Sequence, residues 1–348
     1  MRKREIMKEF NPDGVGVANG NYFGMPFTPD NARLVLVSVP WDVTSSYGAG
    51  ASAAPDAIIE ASTQLDFFDS YAPDAWRKGI ATAEIDYSIQ ETSVALREDA
   101  VRIMENLESG GKTEDNFLLS RRLEKINEAS KQINSQVYDM TERFLSMGKI
   151  VGIVGGDHSV PYGAVLALAR KEPDFGILHL DAHMDLRDCY EGFEYSHASI
   201  MYNILRDVPQ VERIVQVGVR DYSGGEASFA KTCGRVTVFS DADLCEAEFD
   251  GRSWKEQCEA IVGNLPQRVY VSFDIDALSP SLCPATGTPV PGGLSFNKAV
   301  YLLRKMVDSG RSIIGFDLCE VVPAAGNGLD ANTGARVLYK LCGQVLRS

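Results

Sequence analysis

The chain has 348 residues and a formal net charge of −14, with 34 Lys and Arg against 48 Asp and Glu. A hydrophobic content of 45% and a charged content of 24% are typical of a globular protein, and they exclude a disordered or fibrous chain. The negative balance argues against nucleic acid as a partner and favours cationic partners, because phosphate binding depends on basic patches. The length allows one large α/β domain or two ordinary ones.

The sequence shows no sign of secretion or membrane insertion. The basic amino terminus is not followed by an apolar run, and no stretch approaches the roughly 18 apolar residues that a spanning helix needs. The seven cysteines form no C-x-x-C pair, which favours reduced, mostly buried thiols. We therefore expect a cytoplasmic protein without a membrane partner.

Short apolar runs alternate with longer amphipathic ones along most of the chain. The apolar, β-branched runs predict strands buried on both faces, at 34–39, 150–154, 176–180, 214–219, 236–239, 269–273 and 313–316. The amphipathic runs predict helices at 55–63, 162–171, 197–206, 254–263, 296–309 and 331–346. This alternation predicts an α/β fold with a mainly parallel central sheet and helices on both sides. Ligands of such folds bind beyond the carboxyl ends of the strands.

One segment, 91–148, interrupts the alternation. It contains no convincing strand, and its pattern predicts a helix, a polar break at 109–113 and a long second helix. Because charged residues dominate its faces, we expect a helical excursion that covers the core or packs on another subunit. The chain has no internal repeat or low-complexity run, so residues 1–348 are predicted to form a single domain.

The histidines are unusually crowded, since all four lie within one stretch of forty positions: His158, His179, His183 and His197. The first follows a predicted strand in the motif Gly-Gly-Asp-His-Ser at 155–159. The two glycines allow a tight turn, which places His158 at the start of a helix. On its own, this pattern is more typical of a surface or capping histidine than of a ligand.

Two further strand ends carry ionisable residues at every second position. After the strand at 176–180, this period directs four side chains to one side: His179, Asp181, His183 and Asp185. Asp274 and Asp276 repeat the spacing after the strand at 269–273. Carboxylates that converge at a buried strand end repel one another and need a compensating cation. The alternative is a solvated acidic loop.

The donor types indicate which cations these residues suit. Histidine and carboxylate ligands fit manganese better than a thiolate-bound zinc. Four Asp and two His are too many for one ion, but they suit two ions that share bridging carboxylates. A two-metal site can ionise a bridging water and so supply hydroxide at neutral pH.

The three motifs together resemble the signatures of the ureohydrolase family, which includes arginase and agmatinase. They are Gly-Gly-Asp-His-Ser at 155–159, Asp-Ala-His-Met-Asp at 181–185 and Ser-Phe-Asp-Ile-Asp at 272–276, and their order and spacing agree with the family. The similarity runs from about Leu34 to the carboxyl terminus. It implies a three-layer α/β/α fold and a binuclear manganese centre that hydrolyses a guanidino group to urea.

The resemblance also implies a ligand set for two Mn²⁺ ions. Six side chains would hold them: His158 and Asp185 as terminal ligands of one ion, His183 and Asp276 as terminal ligands of the other, and Asp181 and Asp274 as bridges. His179 and Asp157 have no ligand role in the family pattern, so packed supporting roles are expected for both.

Three residues receive catalytic roles from the resemblance. His197 matches a histidine that passes protons to the leaving amine, a task that suits imidazole because it titrates near neutrality. Glu320 matches a glutamate that pairs with the planar guanidinium of the substrate. Asp185 would act with the metals to stabilise the tetrahedral intermediate.

The stretch at 186–196 bears on the rest of the substrate. Asp188, Glu191 and Glu194 outnumber the single Arg187, a poor setting for a carboxylate and a good one for an amine. Since the stretch also resembles the agmatinase version of this loop, we expect agmatine to be hydrolysed to putrescine and urea. The three acids could equally face solvent.

Departures from the family pattern leave other readings open. The loop at 44–52 lacks the arginines common in relatives, and Ala198 replaces a frequent glycine. Arginine, guanidinobutyrate, formiminoglutamate and guanidine therefore remain alternative substrates. A catalytically silent scaffold and a one-metal, deacetylase-like hydrolase are rivals, although the pair Asp274 and Asp276 suits two metals better. By resemblance, the protein should be a homo-oligomer, either a trimer or a hexamer.

Overall fold

The central element is a sheet of parallel strands, and the computed structural model describes residues 3–324, 326 and 328–348. Within these residues the strand order is β2-β1-β3-β8-β7-β4-β5-β6. The strands are β1 (Leu34–Val39), β2 (Ile80–Thr82), β3 (Ile150–Gly155), β4 (Phe175–Leu180), β5 (Val211–Val217), β6 (Val236–Phe239), β7 (Arg268–Asp274) and β8 (Ser312–Cys319). Every pairing is parallel, which confirms the predicted sheet.

The apolar runs in the sequence predicted every strand of this sheet except one. Only β2 was not predicted, because three residues at the edge of the sheet are too few to show a periodic pattern. Strand β5 begins three residues earlier than expected, at Val211, where the exposed Glu212 conceals the buried pattern.

Helices flank the sheet on both sides. They are α1 (Lys3–Glu9), α2 (Ala54–Ser62), α3 (Tyr87–Glu108), α4 (Phe117–Ser146), α5 (Tyr162–Ala169), α6 (Ile200–Asp207), α7 (Gly224–Thr232), α8 (Asp241–Phe249), α9 (Trp254–Gly263), α10 (Phe296–Asp308) and α11 (Leu329–Arg347). Three of these, α1, α7 and α8, were not predicted. None of the helices in the described part of the chain combines the length and apolarity needed to cross a bilayer.

Two of the missed helices carry start signals in the sequence. Ser223 caps α7 and forms a capping box with Glu226, and Ser240 caps α8 by accepting the backbone N–H of Asp243. Their apolar faces are narrow, since Leu244 is the buried residue of α8. The hydrophobic periodicity of these two helices was therefore weak, although their capping residues can be recognised in the sequence.

The period of two along each strand creates the layers. Leu34 and Leu36 of β1 pack into a hydrophobic core with α2, α9, α10 and α11. Val35 and Val37 point to the opposite face, where α3, α4 and α5 cover them. A further core lies between β4, β5 and the helices α5–α7. The result is the expected three-layer α/β/α architecture.

The helical excursion, α3 and α4 with the turn between them, covers one face of the sheet. Leu96 and Ile103 of α3 and Ile126 of α4 are buried in the core formed with β1 and β3. Gly163 of α5 lies against the backbone of α4 near Tyr138. The first of the two expectations for this segment, that it covers the core, agrees with this packing.

The close approach of α4 and α5 leads to a stability prediction. A Cβ on Gly163 would lie 2.8 Å from the backbone N of Tyr138, which cannot move aside without shifting α4. We expect Gly163→Ala to lower the free energy of unfolding by about 1–3 kcal/mol, as overpacking typically does. Urea denaturation followed by circular dichroism measures this.

Gly263→Ala is the matched control, because an added Cβ at the end of α9 meets no described atom within 4 Å. It should leave the free energy of unfolding unchanged or raise it by less than ~1 kcal/mol. Equal losses in the two variants would show that the α4–α5 contact is not the cause.

Candidate active site

Five neighbouring strands end at the same edge of the sheet, in the spatial order β3, β8, β7, β4 and β5. Because β8 and β7 lie between β3 and β4, motifs that are far apart in the chain become neighbours. Each strand end delivers polar side chains: His158 after β3, Glu320 after β8, Asp274 and Asp276 at the end of β7, Asp181, His183 and Asp185 after β4, and Arg220 and Asp221 after β5.

His158 is buried, and its Nδ1 faces three carboxylates. The distances are 3.0 Å to Asp181 Oδ2, 3.1 Å to Asp185 Oδ2 and 3.4 Å to Asp274 Oδ2. A neutral or charged imidazole has one hydrogen at most on this atom, so it cannot satisfy three acceptors. Four such atoms around one point are arranged as ligands of a shared cation would be.

A second group of ligand atoms adjoins the first. His183 Nδ1 lies 3.1 Å from Asp276 Oδ2 and 3.3 Å from Asp181 Oδ1. Asp276 Oδ1 accepts the backbone N–H of Ala182 at 2.9 Å, which fixes the carboxylate. The other oxygen, Oδ2, is buried and accepts no hydrogen bond from the described residues. A buried carboxylate oxygen that accepts no hydrogen bond, although a histidine ring nitrogen lies 3.1 Å away, is costly, so the site fits a bound cation.

Negative charge is concentrated in the cluster formed by these six side chains, which are His158, Asp181, His183, Asp185, Asp274 and Asp276. Burial, with the neighbouring charges of Asp276 and Asp181, raises the pKa of Asp274 well above its usual range. Burial and the charge of Asp181 likewise raise the pKa of Asp185 to about 6. Asp185 also holds a backbone φ of 54°, a strained value that is typical of functional positions. Divalent cations would offset this concentration of negative charge.

A row of polar side chains lies on the sheet behind the cluster. The strand register aligns four buried residues across β5, β4, β7 and β8: Gln216, His179, Ser272 and Asp317. Gln216 Nε2 donates to His179 Nδ1 at 3.0 Å, so His179 Nε2–H can donate to Asp181 Oδ2 at 2.9 Å. Ser272 Oγ lies 2.8 Å from His158 Nε2. These contacts orient the histidine and carboxylate side chains of the cluster.

Asp157 has a supporting position as well. Its Oδ2 accepts the N–H and the hydroxyl of Thr44, at 3.3 and 2.9 Å, and its Oδ1 accepts the N–H of Ser159 at 3.0 Å. Thr44 Oγ1 in turn accepts the backbone N–H of His197 at 3.1 Å. Asp157 therefore connects the turn after β3 to the segment that carries His197.

His197 begins a short 3₁₀ turn just before α6. Its Nε2 lies 3.3 Å from Ser46 Oγ, and its ring stands edge-on to Tyr190 with the centroids 6.2 Å apart. Burial, together with the nearby His183, lowers the pKa of His197 to about 3. The imidazole is therefore neutral at physiological pH and has a lone pair that can accept a proton.

Glu320 follows β8 and lies beside the backbone of His158. It is buried, its Oε1 accepts the backbone N–H of His158 at 2.9 Å, and its φ of 64° is another strained value. Burial and the nearby Asp157 raise the pKa of this carboxyl well above its usual range. Its other oxygen, Oε2, faces Gly287, where a Cβ would lie only 2.8 Å away. The absence of a side chain at 287 leaves this oxygen uncovered on that side.

A cavity of about 300 Å³ opens beside the cluster. Its wall includes His183, Asp185 and His197, together with Ser46, Tyr47, Arg187, Tyr190, Ala198, Asp221, Tyr222, Glu226 and residues 288–290. Glu320 is not part of this wall. The cavity thus joins the candidate metal ligands to a mixed aromatic and acidic opening.

The acids of the stretch at 186–196 do not line this cavity. Glu194 pairs with Lys131 at 2.9 Å, and Asp188 interacts with Tyr202. Glu191 lies near Arg97 and Glu108. Arg187 and Tyr190 are the residues of this stretch that face the cavity, with the guanidinium 4.6 Å from the ring centroid. The sequence argument for a cationic substrate therefore relied on the wrong acids.

Other residues that the sequence argument overlooked supply the acidic wall. Asp221 and Glu226, from the segment after β5, line the cavity. Glu226 also lies 3.6 Å from Arg187 and accepts the N–H of Leu186 at 3.2 Å. Arg220 donates to the carbonyls of Asp276 at 2.7 Å and Val290 at 3.0 Å. An Arg-Asp pair directly after a predicted strand was the signal for this segment.

Comparisons with known proteins agree with the motifs. The arginase-family model matches residues 32–343. N(1)-aminopropylagmatine ureohydrolase of Thermus thermophilus is 32% identical over 323 residues, 92% of this chain and 93% of that one. The agmatinase of Neisseria gonorrhoeae is 32% identical over 303 residues, 86% of this chain and 82% of that one.

A solved structure supports the same fold. Proclavaminate amidino hydrolase of Streptomyces clavuligerus superposes with a TM-score of 0.72 at 23% identity, covering 94% of this chain and 97% of that one. With its matched motifs, its parallel sheet and this likeness over nearly its whole length, the chain belongs to the arginase family and is a ureohydrolase.

Proposed function

We propose that this ureohydrolase is a binuclear manganese amidinohydrolase that most readily converts agmatine to putrescine and urea. The observation that carries the proposal is the convergence of two histidines and four aspartates at one buried edge of the sheet, with an orphaned Asp276 oxygen among them. A guanidino group is the substrate class that the family implies. The 32% identity to an agmatinase supports agmatine.

The proposed ligands form two groups that share Asp181. His158, Asp181 and Asp185 belong to the first, and Asp181, His183 and Asp276 to the second. Asp274 lies beside the first, 3.4 Å from His158, and Asp276 N–H donates to its Oδ1 at 2.8 Å. Two divalent cations held here would lower the pKa of water and so supply a nucleophile at neutral pH.

Residues of the chain itself carry out the proton transfer to the leaving amine. His197, at Nε2 or Nδ1, accepts the proton that the attacking water releases and passes it to the departing amine, which leaves only when protonated. Ser46 Oγ, 3.3 Å from Nε2, holds the ring in place for this transfer. Asp185, on the cavity wall, would help to stabilise the tetrahedral intermediate.

Glu320 has the charge to recognise a guanidinium. With Oε1 engaged by His158 N–H, the oxygen on the Gly287 side is the one that would accept a guanidinium N–H. A bound guanidinium would lower the raised pKa of this carboxyl, because a nearby positive charge stabilises the ionised form.

The rest of the cavity supports a cationic tail. Asp221 and Glu226 offer carboxylates, and the rings of Tyr47 and Tyr222 offer faces that attract cations. A second candidate substrate is N(1)-aminopropylagmatine, which would give spermidine and urea. It is favoured by the 32% identity to the Thermus enzyme and by an opening lined with both acids and tyrosines.

We further propose that the chain works as a single ureohydrolase domain in a cytoplasmic homo-oligomer. Free cysteines at all seven positions support a reducing compartment.

A panel of guanidino compounds tests the activity. With manganese-loaded protein, we expect urea release from agmatine or N(1)-aminopropylagmatine with a kcat/KM at least tenfold, or about 1.4 kcal/mol, above that for arginine or guanidinobutyrate. The reason is that both favoured substrates present a cation, not a carboxylate, to Asp221 and Glu226. A colorimetric urea assay at matched pH and salt measures the rates.

The same panel separates the rivals. Preference for guanidinobutyrate or arginine would point to Arg187 as a carboxylate partner and overturn the tail assignment. Two bound manganese ions without urea from any compound would favour a silent scaffold. Nickel-loaded protein run in parallel tests the choice of metal.

Asp276→Asn tests the ligand set. The substitution keeps the shape but removes a charge from the orphaned Oδ2, so we expect the loss of about one Mn²⁺ per chain and a fall in kcat of at least ~100-fold. Elemental analysis after dialysis gives the stoichiometry, and the urea assay gives kcat.

Asp243→Asn is the control for charge alone, since Asp243 is an exposed residue in the first turn of α8. It should retain both ions and full activity. Two ions retained by Asp276→Asn would refute the role of Asp276 as a ligand.

A further inference from the structure

Helix α4 contacts one of the segments that form the cavity. Asn127 Nδ2 donates to the carbonyl of Gly192 at 3.1 Å, and its Oδ1 accepts the N–H of Glu194 at 2.9 Å. A single amide thus makes two hydrogen bonds to the backbone of residues 192–194. This fixes the position of the segment more firmly than a side-chain contact would, because backbone groups cannot rotate away.

Two neighbours reinforce that contact. Lys131, one turn further along α4, pairs with the Glu194 carboxylate at 2.9 Å. Leu123, one turn earlier, packs so closely on Gly192 that an added Cβ would lie 2.8 Å from it, and Gly192 has a φ of 86°. Three successive turns of α4 therefore touch the same short segment.

Helix α3 contacts the other segment in a similar way. Ser93 Oγ donates to Asp42 Oδ1 at 3.0 Å and accepts the N–H of Asp42 at 3.1 Å. Asp42 Oδ2 accepts the N–H groups of Gly50 and Ser52, at 2.8 and 3.2 Å, and so closes the loop at 42–52. Arg97 donates to the carbonyl of Val43 at 2.8 Å.

Both segments carry residues of the cavity wall. The loop at 42–52 contains Ser46, which lies beside His197, and Tyr47. The segment at 187–194 contains Tyr190 and Arg187, stacked on each other. The two helices of the excursion thus contact both segments that carry wall residues, although no residue of the helices themselves belongs to the wall.

We propose that the helical excursion is a specificity element, in which Ser93 and Arg97 of α3 and Asn127 and Lys131 of α4 are positioning residues that hold the two wall segments. The kinetic part of this inference rests on the proposed function. The α4 contacts set the wall formed by Arg187 and Tyr190, so they act on substrate binding. Since His197 is anchored separately through Thr44, loosening the α4 contacts should leave the proton steps largely intact.

Asn127→Ala is the test, and Gln132→Ala is its matched control. Gln132 is an exposed amide on the same helix that donates to Glu128 of that helix at 3.3 Å. Hydrogen–deuterium exchange followed by mass spectrometry on the full-length protein measures the opening of peptides that cover 187–195. Loss of two hydrogen bonds should raise their exchange rate about tenfold in Asn127→Ala and leave it unchanged in Gln132→Ala.

Kinetics supply the second readout. We expect KM for the best guanidino substrate to rise about fivefold in Asn127→Ala, with kcat within about twofold of the wild type and two ions still bound, so that its kcat/KM advantage over the next-best compound falls by a similar factor. A merely structural role would lower the melting temperature and the active fraction without moving KM.

The outcomes separate this inference from the proposed function. Unchanged exchange at 187–195 in Asn127→Ala overturns the inference, whatever the activity. Faster exchange with an unchanged KM overturns the specificity role. If the wild-type protein releases no urea from any compound, the proposed function fails, and the exchange result alone decides whether α4 holds the wall segment.

Discussion

The mutual repulsion of buried carboxylates is the constraint on which the rest of this structure depends. Asp181, Asp185, Asp274 and Asp276 are all nearly inaccessible to solvent, and burial with neighbouring charge raises the pKa of Asp274 and Asp185. Such a cluster is stable as carboxylates only when cations compensate its charge. The strained backbone at Asp185 and the orphaned oxygen of Asp276 are further costs that binding of cations would offset.

The sheet makes this concentration of charge possible. Parallel strands buried on both faces end at one edge, and the order β3-β8-β7-β4 brings together the proposed ligands at positions 158, 181–185 and 274–276. The aligned row that contains Gln216, His179 and Ser272 then supports the ligands from behind, because register places these side chains next to one another. The rigidity of the site thus comes from backbone pairing, with hydrogen bonds setting the orientation of each ring.

Substrate selection depends on less regular parts of the chain. The cavity wall is built from loops, and the contacts from α3 and α4 are what connect two of these loops to a packed layer of the fold. Loops positioned by a rigid scaffold are where related enzymes can differ most freely. Here the stretch at 186–196 presents Arg187 and Tyr190 to the cavity, and not the acids that the sequence predicted. The carboxylates of the cavity wall, Asp221 and Glu226, come from another segment.

By itself, the sequence determined the parallel α/β sheet, because that sheet depends on a local pattern, the apolar β-branched runs. The candidate ligand set came from the three motifs through their resemblance to a family, and it stays a prediction. It missed β2, α1, α7 and α8, whose runs were too short or too weakly amphipathic to show a periodic pattern. Only the tertiary structure decided which side chains face the cavity. In the sequence, Asp188, Glu191 and Glu194 looked like a cation site. In the structure Glu194 pairs with Lys131, Asp188 interacts with Tyr202, and Glu191 lies near Arg97 and Glu108. The depth of Glu320, and the contact of the excursion with the wall segments, likewise arise from long-range packing that no local pattern encodes.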